Sequence, residues 1–261
     1  MRRSLTVFVL LMSMLCVVSI ADAGMNKPIT LKVGGDIHHF SYEEPGVMEE
    51  SGLLYGLSGS LETKILSLLF FRAEAAVVAG YLQYVGEVRF ADGTTEPLEV
   101  DTPNVIANGR CTAGPMLGGD ELKVIPYAGL GYRFLIDDLS DPSPQYGYVR
   151  EQTYIYMPIG VLIQKALNDA WMVELKAEYD VLIDAENYSH DGALGGGVTL
   201  PQESGSGFRF AAGFNQVDRI GTLSFEVFAE FWNIDDSETV NFFLEPENES
   251  SLFGGRLSIA L

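Results

Sequence analysis

The feature that most constrains the fold of this chain is an alternation of apolar and polar residues with a period of two. In residues 171–184 one face of the predicted strand is apolar and the other is charged. The apolar face consists of Trp171, Val173, Leu175, Ala177, Tyr179, Val181 and Ile183, and the polar face of Met172, Glu174, Lys176, Glu178, Asp180 and Asp184. Because successive side chains of a β-strand point to opposite faces, this pattern predicts a strand with two different surroundings. Residues 126–134, 208–215, 223–231 and 253–261 show the same pattern.

The alternating segments predict about ten strands, and their connections alternate in length. The predicted strands lie near residues 30–42, 52–63, 68–85, 104–116, 123–136, 148–165, 170–184, 206–216, 219–234 and 251–261. The short connections are predicted near 64–67, 117–122, 166–169 and 217–218, and the long ones near 43–51, 86–103, 137–147, 185–205 and 235–250. Short periplasmic turns and long external loops are typical of an outer-membrane barrel. The predicted fold is therefore all-β: a closed, antiparallel, up-and-down transmembrane β-barrel of about ten strands, with eight strands as the alternative.

Two other fold classes are less compatible with the sequence. The first is a transmembrane helix. Its nearest candidate in the mature chain, 65–82, contains Arg72 and Glu74, which share one face of a strand but not of a helix. A soluble β-sandwich or a lipocalin-like binder would also alternate. A sandwich does not require connections of alternating length, however, nor polar faces on which opposite charges occur in similar numbers. Hydrocarbon offers no hydrogen-bond partners, so a sheet in lipid must close on itself.

The N-terminus predicts export. Arg2 and Arg3 precede an apolar run over 5–20, and Ala21-Asp22-Ala23 is a small-residue cleavage site. A lipoprotein modified at Cys16 is the less favoured alternative, because Leu15 stands where a small residue is needed. We therefore expect a signal peptide over 1–23, a barrel domain over 24–261, and localisation in the outer membrane.

Charge and cysteine content exclude two further possibilities. Removal of residues 1–23 leaves 14 basic and 35 acidic residues, a net charge of about −21. Such a chain is not expected to bind nucleic acid, which requires surplus Lys and Arg. Cys111 is then the only cysteine, so the fold contains no internal disulfide.

Three stretches resemble small Gram-negative outer-membrane β-barrel proteins with no assigned activity. They are PYAGLGYRF at 126–134, YVREQTYIYMPIG at 148–160 and the terminal strand Leu257-x-Ile259-x-Leu261. The resemblance implies a monomer that contacts outer-membrane lipid and meets the barrel-assembly machinery during insertion. Such chains usually end in Phe, whereas this one ends in Leu261, which concerns the efficiency of assembly more than the fold.

The charged residues on the polar strand faces are predicted to lie in the lumen and to pair there. Buried charges are costly unless they pair or meet water, and a barrel of eight to ten strands is narrow enough for side chains to fill. We call this predicted set the lumen charge network; it consists of Arg72, Glu74, Arg110, Arg133, Glu174, Lys176, Glu178, Arg209, Glu226, Glu230 and Arg256. The favoured function is thus a largely plugged barrel with acidic surface loops and a structural or interaction role. A narrow porin-like channel for small solutes is the alternative.

An enzyme acting at the rim is less favoured. The chain resembles the omptin proteases in strand number; these use an Asp pair and an Asp–His couple on one strand face. Asp137-Asp138 and His190-Asp191 are adjacent instead, so their side chains point apart. A lipid-modifying enzyme would need a nucleophile and a general base that converge, and Ser189 and His190 are also adjacent. No metal motif is present, and no cofactor is expected. The acidic run Asp235, Asp236, Glu238, Glu245, Glu247 and Glu249 lacks calcium-loop spacing and predicts a solvated loop.

Aromatic residues near the predicted strand ends are candidates for the girdles that such barrels place at the two membrane interfaces. They are Tyr42, Tyr55, Tyr84, Tyr148, Trp171 and Trp232.

Overall fold

The computed structural model describes residues 29–65, 68–89, 93–140, 147–190, 197–218 and 221–260. The predicted signal peptide and its cleavage site lie outside the described residues, as does Leu261. Among the described residues, no helix is long and apolar enough to cross a membrane.

The described residues form twelve β-strands, of which ten are long. Their bounds are β1 Thr30–Glu44, β2 Met48–Ile65, β3 Leu69–Arg89, β4 Thr95–Pro115, β5 Leu117–Gly118, β6 Leu122–Asp138, β7 Val149–Asn168, β8 Trp171–Ser189, β9 Val198–Gln202, β10 Gly205–Asp218, β11 Gly221–Ile234 and β12 Asn248–Ala260. Each long strand overlaps one of the ten predicted strands, and several extend further than predicted at the end that leads into a long predicted connection.

The ten long strands close into an antiparallel barrel. Each pairs with its predecessor, and β12 pairs with β1 over Lys32↔Ala260 to Glu43↔Glu249, which closes the ring. The short strand β5 extends the β4 edge, and β9 pairs with the upper end of β8 alone. The predicted fold class, a ten-stranded up-and-down barrel, is confirmed. Every strand in it has two hydrogen-bonded neighbours, as a sheet in lipid requires.

The two rims of the barrel differ in the length of their connections. We call the rim of the 45–47, 90–94, 139–148, 190–204 and 235–247 connections the outer rim, and the opposite rim, where β1 begins and β12 ends, the inner rim. The long loops predicted near 43–51 and 86–103 are wrong in extent. There β1 and β2 continue to a three-residue turn containing Gly46 at φ 74°, and β3 and β4 run on to Arg89 and Thr95. Both faces of these strand ends carry polar residues, so the ends extend beyond the apolar belt.

The outward face forms an apolar belt. Its members with at least two fifths of their surface exposed include Leu57, Tyr81, Leu130, Leu175, Phe210, Val227 and Ile259. In β8 the alternation changes phase at a register shift, where Asp184 pairs with Ile155 and Leu182 with Tyr156. Asp184 is consequently exposed and Ala185 is buried, so the predicted inward position of Asp184 is wrong. A bulge adds one residue to one strand, and this reverses the faces beyond it.

Only part of the predicted aromatic girdle lies on the outside. Tyr55 is 56% exposed and Trp171 stacks on the outward Phe214 at 4.7 Å between ring centroids. Tyr42 and Trp232 point into the lumen, and Tyr84 packs against the lumen's apolar cluster. Tyr148 lies outside the strands, in the β6–β7 connection. The assignments of Tyr42, Trp232 and Tyr84 are wrong because the outer part of the lumen is itself lined with aromatic side chains.

Candidate functional site in the barrel lumen

The half of the lumen nearer the inner rim is built around Arg110, which projects from the inner-rim half of β4. Its Nε donates to Glu74 Oε2 at 2.7 Å, and its Nη1 donates to Glu178 across the barrel. Tyr127 OH donates to the second oxygen of Glu178 at 2.7 Å. Lys176 Nζ lies 3.3 Å from the other oxygen of Glu74. One guanidinium therefore joins strands on opposite walls.

A second group lies nearer the inner rim around Arg72. Its Nη2 lies 2.8 Å from Glu62 Oε1 on the neighbouring strand and 3.4 Å from Glu174 Oε2 across the lumen. Gln164 donates to the other oxygen of Glu174 at 2.8 Å. Lys32 pairs with Glu62 at 3.3 Å.

A third group joins the first strand to the last. Arg256 of β12 donates from Nε and Nη2 to the two oxygens of Asp36 of β1, at 2.9 and 2.8 Å. Ser58 donates to Asp36 Oδ1 at 2.6 Å, and His38 Nε2 lies 3.4 Å from Oδ2. Arg256 also lies 3.5 Å from Glu226. Bidentate charge-assisted pairs are the strongest of these contacts.

The fourth group surrounds Glu230. Arg209 and Arg133 lie 3.5 and 3.7 Å from its two carboxylate oxygens, and Trp232 Nε1 donates to Oε1 at 2.8 Å. The Arg133 guanidinium also lies over the rings of Phe40 and Trp232, at 5.6 and 5.9 Å from their centroids.

The structure thus brings all eleven residues of the lumen charge network inside the barrel, and each takes part in at least one ion pair. The ion pairs within the network are Arg72–Glu174, Arg110–Glu74, Arg110–Glu178, Lys176–Glu74, Arg133–Glu230, Arg209–Glu230 and Arg256–Glu226. The same network includes Glu62 and Lys32, which the sequence analysis did not assign to it, and Asp36, an acidic residue on a polar strand face. Asp36 alternates with apolar residues in β1, and that period-two position is the signal for its inward orientation.

Apolar side chains pack beside the charge network and extend beyond it towards the outer rim. The cluster consists of Phe40, Tyr42, Met48, Leu54, Val78, Leu82, Ile106, Leu135, Ala211, Phe228 and Leu252, all at most 9% exposed. Tyr154, Tyr156, Ala185, Trp232 and Ile234 form a second cluster beside it. These side chains are packed like those of a protein core.

The outer end of the lumen is closed by polar groups around Arg150. Its guanidinium contacts Glu44, lies 3.3 Å from Asp137 and 3.6 Å from Glu245, and stands 4.7 Å from the centroid of the Tyr42 ring. Glu245 belongs to the 235–247 connection, and its contact with Arg150 places it at the outer end of the lumen. Burial raises the pKa of Glu245 to about 7, and the charge of Glu44 acts in the same direction, although Arg150 opposes both. The sequence analysis missed this group because it placed Glu44 and Asp137 in loops.

Two small spaces lie between the side chains of the described lumen. One, of about 40 Å³, lies towards the inner rim between Arg72, Glu174 and Arg256. Another, of about 20 Å³, lies beside Arg110, Tyr156 and Phe228. Since one water molecule needs roughly 10–15 Å³ by this measure, these spaces hold a few waters at most.

The structure separates the residues considered for catalysis. Asp137 is buried beside Arg150, whereas Asp138 turns the other way and accepts hydrogen bonds from Ser140. His190 is at the outer rim, 2.8 Å from Glu151; Asp191 is outside the described residues. Asp36 and His38 do have the same-face spacing of an Asp–His couple, which the sequence analysis overlooked. Both side chains are nearly inaccessible in the lumen, and Asp36 already accepts hydrogen bonds from Arg256 and Ser58.

The acidic run after β11 does not act as a unit. Glu245 is buried, whereas Asp235, Asp236, Glu238, Glu247 and Glu249 are exposed. Within the described ranges no group of three or more His, Cys, Asp or Glu residues has an arrangement that would hold a metal ion.

Comparison with known proteins identifies solved structures that superpose on this barrel. No protein-family model matches the chain, and no curated protein sequence matches it. Among solved structures, the outer membrane protease OmpT from Escherichia coli superposes with a TM-score of 0.59 at 10% identity, over 91% of this chain and 98% of that one. The translocator domain of the autotransporter NalP from Neisseria meningitidis has a TM-score of 0.44 at 13% identity, over 97% of this chain and 96% of that one. At 10% identity the superposition on OmpT shows a shared fold and nothing about activity.

The fold, the closed ring of ten strands and the apolar outer belt define an integral outer-membrane β-barrel. Within that class the chain resembles small Gram-negative barrels, as its sequence indicated.

Proposed function

We propose that this protein is a non-conducting, non-enzymatic outer-membrane barrel that presents an acidic outer rim to its surroundings, in a structural or interaction role. The observation that supports this proposal is the content of the lumen. Buried ion pairs, packed apolar side chains and the Arg150 cluster together occupy the described lumen. A solute would have to break buried ion pairs and displace packed side chains, both at a cost of several kcal/mol.

The conductance of the purified protein in planar bilayers tests the proposal against a narrow channel. Insertion is verified independently, by the faster gel mobility of the unboiled protein. We expect inserted protein to be electrically silent over a range of voltages and salt concentrations. Steady single-channel steps from protein whose mobility shift is intact would contradict a closed lumen.

A rim enzyme is tested separately. We expect the folded protein to leave peptide and lipid substrates unchanged, because His190 is paired with Glu151 and the buried Asp36–His38 couple is inaccessible. Hydrolysis by the wild type that disappears in His190→Ala, with unchanged mobility, would show an enzyme. The same assay on His39→Ala, a substitution of an outward histidine in β1, is the matched control.

A further inference from the structure

The outer end of the lumen holds more buried carboxyl groups than cations to balance them. Glu44, Glu50, Asp137 and Glu245 are all at most 5% exposed. Among the described residues, Arg150 is the only cation within ion-pair distance of any of these four. Ionisation of all four would leave a buried net charge of −3, four carboxylates against one guanidinium. Because like charges that share a buried site disfavour one another, some of these groups must keep a proton or move apart.

One of the four carboxyl groups can move without disturbing the barrel wall. Glu44, Glu50 and Asp137 belong to β1, β2 and β6, whose residues there are paired in register with neighbouring strands. Glu245 lies in the 235–247 connection instead. Its Oε1 is 3.6 Å from Arg150 Nη1, a distance too long for a hydrogen bond. The hydrogen bonds of Arg150 go to Glu44 and Asp137, so Glu245 is the carboxyl group of the cluster that is free to leave.

Glu245 stands at the base of a hairpin formed by residues 237–245, which we call the outer hairpin. Two hydrogen bonds close its base: Ser237 N donates to Glu245 O at 2.9 Å, and Glu245 N donates to Ser237 Oγ at 2.8 Å. Nearer the tip, Val240 and Phe243 exchange backbone hydrogen bonds of 2.8 and 2.9 Å. These four bonds join the two legs to each other, so the outer hairpin can move as one unit together with the Glu245 side chain.

Few contacts hold the outer hairpin against the barrel. Glu238 N donates to Pro201 O at 3.3 Å, beyond the usual range for a backbone hydrogen bond. The side chains of Phe242, at the tip, and Leu244 are fully exposed and 48% exposed, so they bury little surface against the wall. An element with so little buried apolar surface opens at low cost. The contact between Glu245 and the Arg150 cluster therefore decides where the outer hairpin lies.

We propose that the outer hairpin is a proton-operated closure of the lumen: it docks Glu245 beside Arg150 in acid and releases it as the pH rises through neutrality. The pKa of Glu245, raised to about 7 by its burial, agrees with this direction. The closed hairpin favours the protonated carboxyl group, and the open one exposes the carboxylate to water. The ion pairs and the apolar cluster nearer the inner rim are carried by strands, so they stay in place when the hairpin leaves. The inference holds whether or not the lumen conducts.

The other titratable groups that interact with this cluster are phenols. They belong to Tyr42, Tyr84, Tyr148 and Tyr154. A phenol ordinarily titrates near pH 10, so these groups stay neutral while the carboxyl groups ionise. His190 lies at the outer rim as well, paired with Glu151 at 2.8 Å, and a histidine can titrate in the same range as the closure. Separate substitutions of Glu245 and His190 therefore assign the response.

The test measures the position of the outer hairpin with a pair of spin labels. In a Cys111→Ala background, Thr239→Cys on the hairpin and Val85→Cys on the outward face of β3 carry the labels, both at exposed positions. The distance distribution between them is recorded by double electron–electron resonance, with the protein inserted in vesicles, at pH 5 and pH 8.5. We expect one narrow distance in acid and a broad distribution at pH 8.5. The ratio of closed to open hairpin should fall by nearly two orders of magnitude between them.

Two variants should change this response. Glu245→Gln should keep the narrow distance at both pH values, because its side chain has no proton to lose. Glu44→Gln should reduce the fall in the closed-to-open ratio about tenfold, because it removes the like charge that helps to raise the pKa of Glu245.

The matched controls are Glu238→Gln, an exposed carboxyl group of the same hairpin, and His190→Gln. Both should respond to pH as the wild type does, and every variant must show the mobility shift of a closed barrel. A wild-type distance distribution that is the same at both pH values would overturn the proposal. So would a pH response that persists in Glu245→Gln, or one that disappears in His190→Gln.

Discussion

Replacement of Arg110 by alanine is the sharpest test of the ion-paired lumen. Arg110 is 4% exposed and serves two carboxylates, those of Glu74 and Glu178, on opposite walls. Removing one partner of a buried ion pair costs about 3–5 kcal/mol, because the remaining charge is left buried and unpaired.

The structure places the expected cost at the lower end of that range. Glu74 keeps Lys176 at 3.3 Å and Glu178 keeps the hydroxyl of Tyr127 at 2.7 Å. The cavity of about 20 Å³ beside Arg110 also gives water a place to enter the truncated site. We therefore expect Arg110→Ala to lower the free energy of unfolding by about 3 kcal/mol.

The measurement is guanidinium unfolding of the protein inserted in vesicles, followed by tryptophan fluorescence. Lys165→Ala is the matched control: it removes one cation at an exposed position near the inner rim and should change the free energy of unfolding by less than about 0.5 kcal/mol. The double variant Arg110→Met/Glu178→Gln, which leaves Glu74 paired with Lys176, should recover most of the loss. If Arg110→Ala costs no more than Lys165→Ala, the lumen is hydrated and its ion pairs do not stabilise the barrel.

Three further outcomes are expected. Because the pKa of Glu245 is raised to about 7, the closed 235–247 connection binds a proton more tightly than an open one does. The stability that this proton gives the closed connection is fully present below about pH 4.5 and is lost as pH rises through 7. Hydrogen exchange of the amides in this connection should therefore accelerate beyond the intrinsic rate between about pH 5 and 8 in the wild type, and not in Glu245→Gln. Cys111 lies on the outward face of β4, so in mature protein inserted in vesicles it should react with a membrane-soluble maleimide and resist a water-soluble one. Gly131→Ala should destabilise the barrel by about 1–3 kcal/mol in the same unfolding assay, because the added Cβ would stand within 2.6 Å of the Tyr156 ring. Ala128→Gly, on the outward face of the same strand, should have a smaller effect.

The alternation of residues was sufficient to predict the ten strands and the inward side of the charge network. A strand between lipid and a charged lumen has two chemically different faces, and Glu174, Lys176 and Glu178 occupy one of them without exception. The period-two pattern therefore determines both the secondary structure and the orientation of side chains.

The same reasoning failed in the outer third of the barrel, where both faces change character. Inside, Tyr42 and Trp232 are buried among apolar neighbours; outside, Glu43 and Glu249 are exposed. Hydrophobicity there no longer distinguishes lumen from exterior, so aromatic residues were assigned to the girdle and strand ends to loops. The Arg150 cluster depends on contacts between four segments distant in sequence, and no local pattern reports such contacts.

The pairing of Asp36 with Arg256 has a consequence for the order of events during biogenesis. These residues are 220 positions apart, so neither the ion pair nor the β1–β12 seam can form until the last strand has been delivered. Until then β1 and β11 each present a bare hydrogen-bonding edge, a state that cannot enter hydrocarbon and that invites pairing with other chains. Seam closure and membrane insertion must therefore be nearly simultaneous, and Asp36 is neutralised by its guanidinium partner only at that moment.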